Sequence, residues 1–250
     1  MQKSIPQKTV LITGATSGIG LATAQLFAQK QYNILLAGRN ATSLEQAANS
    51  VDGNVQTYQA DIADISQLDA LYAKVQSDGH KLNTLVVNAA VAKPLPFGDV
   101  NEENFDLTMN TNFKGAFFTL QKALPLMDKN ATAVFTTSIT NQLGSPNFSV
   151  YAAAKAALKS LVKTLGLELI GQGIRVNAVS PGPINTPMFD KFGLPEEATQ
   201  EIQAAIKMKS PSQRFGEPEE VAKAIHFLCS EDSSYIVGEE LVIDGGMSLL

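Results

Sequence analysis

The chain has 250 residues, 44% of them hydrophobic and 17% charged, enough apolar matter for a well-buried globular core. Lys and Arg number 19 against 24 Asp and Glu, a net charge of −5 with no basic run, which excludes the electrostatic footprint of a nucleic-acid binder. One cysteine, Cys229, excludes an intramolecular disulfide. The opening MQKSIPQKTV lacks an apolar signal core, and no apolar run is long enough to span a membrane. A soluble cytoplasmic protein in a reducing compartment is expected.

In chain order, Thr9 to Thr13 (TVLIT) reads as a buried strand, and Ser17 to Lys30 follows with helical spacing. Asn33 to Ala37 is a second strand, Leu44 to Val51 a helix, Val55 to Ala60 a third strand, and Ile65 to Ser77 a helix. Leu82 to Val87 is strand four. Asn104 to Leu126 reads as one long helix, Ala133 to Thr137 as strand five, and Ser149 to Ile170 as another long helix. Ile174 to Val179 is strand six, Glu217 to Glu220 starts a helix reaching Cys229, and Glu240 to Ile243 is the last strand. Strands apolar on both faces, embedded between helices, imply one α/β domain with a parallel sheet covered on both sides. The irregular stretch from Pro181 to Pro211 carries five prolines, and residues 187–211 within it are a candidate lid over the ligand crevice.

Immediately after the first strand comes TGATSGIG. Glycines suit a strand-to-helix turn where φ is positive or where backbone must approach a ligand, and the helix start offers amides and a positive dipole end to a pyrophosphate. Gly14, Thr16, Ser17, Gly18, Ile19 and Gly20 are therefore candidate dinucleotide contacts, although the spacing is not GxGxxG and a purely structural turn is the plain alternative. Strand two ends in Leu36-Ala37-Gly38-Arg39-Asn40, with no carboxylate to hold a ribose diol. Arg39, with Asn40 beside it, can offer a charged fork to a 2′-phosphate, so NADP(H) is expected ahead of NAD(H). A solvated loop arginine is the alternative.

Tyr151 and Lys155 stand four residues apart on one helix face, where an ammonium should lower the phenol's pKa towards working pH for proton transfer. Ser138, at the end of strand five, can hydrogen-bond the same substrate oxygen. Asn112 is a polar residue in a packing-rich helix, and by itself could be a surface amide. His80 and His226 have no companion at ligand spacing, so no metal is expected.

Taken together in this order, the motifs resemble the short-chain dehydrogenase/reductase family over essentially the whole chain. TGATSGIG resembles its cofactor turn, Asp61-Ile62 its adenine-contacting pair, and Asn88-Ala89-Ala90 its Asn-Ala-Gly segment, with Ala90 in place of the usual glycine. Asn112, Ser138, Tyr151 and Lys155 match the catalytic tetrad; Pro181, Gly182, Ile184 and Thr186 fall in the nicotinamide loop, and Asp244-Gly245-Gly246 is the C-terminal signature. The resemblance implies a single-domain, Rossmann-like doubly wound fold with a mainly parallel seven-stranded sheet, assembled as a homotetramer or homodimer. It implies that Ser138 holds the substrate oxygen, Tyr151 is general acid/base, Lys155 binds the nicotinamide ribose, and Asn112 anchors a relay water.

The expected activity is NADP(H)-dependent interconversion of a carbonyl and a secondary alcohol on a small-molecule substrate. One alternative is a 3-oxoacyl-(acyl-carrier-protein) reductase, for which the basic rim looks thin around Lys129 and Gln172. A non-enzymatic NADP(H) sensor is a second, disfavoured by the complete tetrad. Leu95, Phe97, Gln142, Met188, Phe189 and Phe192 are the candidate substrate-lining residues, largely apolar.

Overall fold

A computed structural model describes residues 7–188, 192 and 195–250. Seven strands, β1 (Thr9–Thr13), β2 (Asn33–Gly38), β3 (Val55–Gln59), β4 (Leu82–Val87), β5 (Met127–Thr136), β6 (Arg175–Pro181) and β7 (Glu240–Ile243), form one sheet. Its order is β3-β2-β1-β4-β5-β6-β7, with every neighbouring pair parallel. The order reverses direction between β1 and β4, which opens a crevice beyond the strands' C-terminal ends.

Alternation along the strands explains the two-sided core. In β1, Leu11 packs with Leu35, Leu85 and Phe135 against one face, where Leu68, Leu120 and Leu158 close the cluster. Val10 and Ile12 point the other way, meeting Phe27, Leu44 and Ile225. The first set belongs to helices α3 (Ile65–Ser77), α5 (Ala116–Ala123) and α6 (Ser149–Ile170). The second belongs to α1 (Gly18–Gln29), α2 (Ala41–Asn49) and α8 (Pro218–Cys229). A sheet buried on both faces needs apolar residues at consecutive positions, and TVLIT supplies them.

The expected Asn104–Leu126 helix is present as one continuous helical run, with a change of winding in its middle. It resolves into α4 (Glu102–Met109), a π-helical turn at Asn110–Gly115, then α5 and a 3-10 turn at Leu124–Leu126. A Cβ on Gly115 would lie 2.6 Å from the Ile62 carbonyl oxygen, so the turn packs directly against the loop after β3. Strand five begins six residues earlier than its apolar core suggested: Met127 pairs with Leu82, and the polar residues 128–130 fall in a register irregularity before Thr132 pairs with Thr84. Glu217 does start α8, accepting from and donating to Glu220 as a capping box. The expected lid contains α7 (Glu196–Lys209), but 189–191 and 193–194 lie outside the described residues.

Candidate active site

The ends of β1, β2, β4, β5 and β6 open onto a cleft of about 1090 Å³. Its floor on one side is the glycine turn. Gly14 and Gly18 have φ of 65° and 54°, the left-handed region where glycine carries no penalty. A Cβ on Gly14 would sit 2.7 Å from Ala89 Cα, and one on Gly20 only 2.3 Å from the Gly14 carbonyl oxygen. Gly20 itself does not line the cleft; it lets α1 pack beneath the turn. Ser17 caps α1 without a side-chain bond, and no acidic residue stands in the first turn, so the positive helix end faces the cleft unneutralised. Those features fit a dinucleotide pyrophosphate, with Gly14, Thr16, Ser17, Gly18 and Ile19 all on the wall.

Asn88 braces this turn. Its Nδ2 donates to the Thr13 and Gly14 carbonyls, each at 3.2 Å, while Oδ1 accepts from Thr136 Oγ1 at 3.2 Å. Ala89 and Ala90 lie on the cleft wall beside it, as do Asp61 and Ile62. Arg39 stands exposed at the rim, with its guanidinium 3.9 Å from the Asp61 carboxylate. Asn40 is turned away. Its Oδ1 accepts from Ser43 N at 2.8 Å, so it caps α2 and does not line the cleft.

The other half is built from buried polar side chains. Asn112 is 1% exposed, so the surface-amide alternative is overturned. Its Nδ2 donates to the Val91 carbonyl and its Oδ1 accepts from Val91 N, both at 2.8 Å. The π-helical turn thus fixes the loop after β4, one of the places where such turns concentrate at functional sites. Ser138 caps a 3-10 turn at Ile139–Asn141, accepting from Thr140 N at 3.3 Å and Thr140 Oγ1 at 3.1 Å. Tyr151 is half-buried on α6, edge-on to Phe148, and lines the cleft with Ser138. Lys155, 2% exposed, donates from Nζ to the Thr136 carbonyl at 2.7 Å and sits 5.6 Å from the Tyr151 ring centre.

The expected depression of the tyrosine is corrected here. Burial pushes the Tyr151 phenol up to about 12, and hydrogen bonding from Ser138 only partly opposes it. Burial also drives the Lys155 ammonium down to about 7, and its nearest partner is a carbonyl rather than the phenol oxygen. Burial therefore favours the protonated form of Tyr151.

Pro181, Gly182, Ile184 and Thr186 complete the wall above β6. A Cβ on Gly182 would come within 2.7 Å of Asp244 Cβ, and Asp244 accepts from Gly246 N at 2.9 Å and Ser248 N at 2.7 Å. The Asp-Gly-Gly signature is thus a brace beneath this loop. Of the substrate-lining candidates, Met188 and Phe192 face the cleft, and Phe189 lies outside the described residues. Leu95, Phe97 and Gln142 do not line it. The Leu95 backbone is tied to Asn147 O at 2.9 Å, Phe97 is 85% exposed, and Gln142 accepts from Lys159 Nζ at 3.2 Å. Leu107, Leu143, Phe148, Ile206 and Met247 replace them, drawn from separate segments with no common sequence signal.

A family model described as enoyl-(acyl carrier protein) reductase matches residues 14–248. The chain is a short-chain dehydrogenase/reductase. It is 40% identical over 245 residues to the 3-oxoacyl-(acyl-carrier-protein) reductase FabG of Thermotoga maritima, covering 96% of this chain and 97% of that one. It is 34% identical over 249 residues to glucose 1-dehydrogenase of Gluconobacter oxydans, covering 97% and 92%. The solved structure of levodione reductase superposes with a TM-score of 0.88 at 31% identity, covering 97% of this chain and 98% of that one. Membership of this family makes the protein an NAD(P)(H)-using oxidoreductase acting between CH–OH and C=O.

Proposed function

We propose that this short-chain dehydrogenase/reductase interconverts a carbonyl and a secondary alcohol with NADP(H). The observation that carries the reading is the Tyr151 phenol beside Ser138 in the cleft, with Lys155 Nζ 5.6 Å from its ring centre. In this reading Ser138 and Tyr151 hold the carbonyl oxygen, and the Tyr151 proton moves to it as negative charge develops. The dinucleotide, when bound, supplies the hydride. Gly14, Thr16, Ser17, Gly18 and Ile19 would hold its pyrophosphate, Asp61 and Ile62 its adenine, and Lys155 its nicotinamide ribose. Ala89, Ala90 and residues 181–186 would flank the nicotinamide end. Arg39 supports the 2′-phosphate preference, since residues 36–40 contain no competing carboxylate.

A 3-oxoacyl thioester is the second substrate reading, favoured by two observations. The 40% identical relative carries that activity in its name. Lys93 and Lys209 also stand on the cleft lining, exposed and in no ion pair among the described residues, where an anionic carrier would approach. This basic rim is the one the sequence did not display around residues 129 and 172.

The test follows reduced-cofactor absorbance with NADPH and NADH separately, against ketones, aldehydes, quinones and a 3-oxoacyl thioester. Turnover is expected with NADPH well above NADH, and Arg39→Asp should raise the NADPH Kd at least about tenfold, the scale of a lost charged hydrogen bond. An unchanged Kd removes Arg39 from the site. Turnover of the thioester alone selects the second reading.

A further inference from the structure

One carboxylate is buried among polar side chains that no step above uses. Glu240 opens β7 opposite Ala178, and its side chain retains 5% exposure. Its Oε1 accepts from Thr137 Oγ1 and from Asn141 Nδ2, each at 2.5 Å, and its Oε2 forms an ion pair with Lys159 Nζ at 2.7 Å. Glu240 does not line the cleft.

Each partner is attached to the chemistry. Thr137 directly precedes Ser138, and its backbone N–H donates to the Val179 carbonyl at 2.8 Å. Asn141 ends the 3-10 turn that Ser138 caps, donating from its backbone N–H to the Ser138 carbonyl at 3.0 Å. Lys159 lies one helical turn beyond Lys155 on α6 and also reaches Gln142 Oε1 at 3.2 Å. One carboxylate therefore joins the start of β7, both flanks of Ser138 and the helix that carries Tyr151 and Lys155.

Burying a charge is a poor way to gain stability, because apolar residues of similar volume do as well or better. What two hydrogen bonds and an ion pair converging on one carboxylate do supply is a single geometry. Proton donation to a carbonyl depends on such geometry, since displacements of about 1 Å can cost up to about a hundredfold in rate. We infer that Glu240 is a positioning residue, holding the Ser138 turn against α6 so that the Ser138 and Tyr151 hydroxyls converge on one substrate oxygen. The inference rests on the roles given to Ser138 and Tyr151 above.

The experiment compares wild type with Glu240→Gln, which keeps the volume and removes the charge. It uses whichever carbonyl substrate the wild type turns over, with backbone amide exchange measured alongside. The expected result is kcat lowered about tenfold, with the NADPH Kd within about twofold of wild type. Exchange should quicken across residues 137–143 and stay unchanged across the glycine turn at 14–20. Asn141→Ala removes one donor and keeps the Glu240–Lys159 ion pair, and should show the same pattern more weakly; it decides the matter if Glu240→Gln fails to fold. A lower Tm with unchanged kcat would reduce Glu240 to structural support and overturn the inference, as would unchanged exchange at 137–143. If the wild type turns over no carbonyl, the functional reading fails, while the exchange comparison still decides whether Glu240 holds the Ser138 turn.

Discussion

The two sides of the cleft are made of different material. From β1 to β4 the wall is backbone: a glycine turn, an uncapped helix end and short alanine stretches, shaped by where Cβ atoms are missing. From β5 to β6 it is side chain, with Lys155 2% exposed and Ser138 8% exposed, and the nearly fully buried Asn112 holds the loop after β4 behind it. Their hydrogen bonds run to backbone carbonyls and amides. The backbone side tolerates changes of side-chain polarity but not an added carbon. On the other side the polar atoms are the constraint, because each buried donor or acceptor needs its partner.

The sharpest separation comes from Tyr151→Phe, which keeps the ring packed on Phe148 and deletes only the hydroxyl. Turnover should fall about a thousandfold, within the range of lost general acid catalysis, while NADPH binding by fluorescence stays intact. Lost binding instead would mean that the two sides are not independent; unaltered turnover would take the tyrosine out of the chemistry. Next in size is Gly20→Ala. Alanine favours a helix by about 1 kcal/mol over glycine, yet here its Cβ would meet the Gly14 carbonyl oxygen at 2.3 Å. The net effect should be destabilisation of at least about 1–3 kcal/mol by chemical denaturation, with cofactor binding lost. Gly171→Ala, at the C-terminal end of α6 away from the cleft and in open space, should leave stability unchanged or raise it by up to about 1 kcal/mol. Matching outcomes for the two glycines would show that the Gly14 carbonyl does not set the cost at Gly20.

Lys155 supplies a pH signature for the polar side. Its pKa in the folded cofactor-free protein is held down to about 7, below the unfolded value of 10.5, so the unfolded chain binds more protons between those limits. This group therefore contributes stability that is complete above the unfolded pKa and is lost as pH falls through about 7. Denaturant midpoints of wild type should rise relative to Lys155→Met as pH climbs from neutral; parallel profiles would show that the ammonium is not penalised by burial. Smallest is Asn40→Ala, which should cost about 1 kcal/mol through the lost α2 cap and leave the NADPH Kd unchanged. A weakened Kd would return Asn40 to the cofactor site.

The sequence by itself determined what depends on neighbours in the chain. Apolar runs such as TVLIT gave the strands, β7 falls at Glu240–Ile243 as read, and the position of TGATSGIG between strand and helix marked the turn. Ser138, Tyr151 and Lys155 were legible because their spacing is set by one strand end and one helix face. Only the tertiary structure displayed the π-helical turn at Asn110–Gly115, where Gly115 meets the Ile62 carbonyl, far away in the chain. The same holds for the upward push that burial gives the Tyr151 phenol, and for Leu95, Phe97 and Gln142 lying off the cleft while Lys93 and Lys209 line it. Glu240 bonds a threonine 103 residues earlier, and no local period encodes such a meeting. Periodicity and turn conformation are local energies, whereas burial and the pairing of buried polar atoms exist only once distant segments have packed.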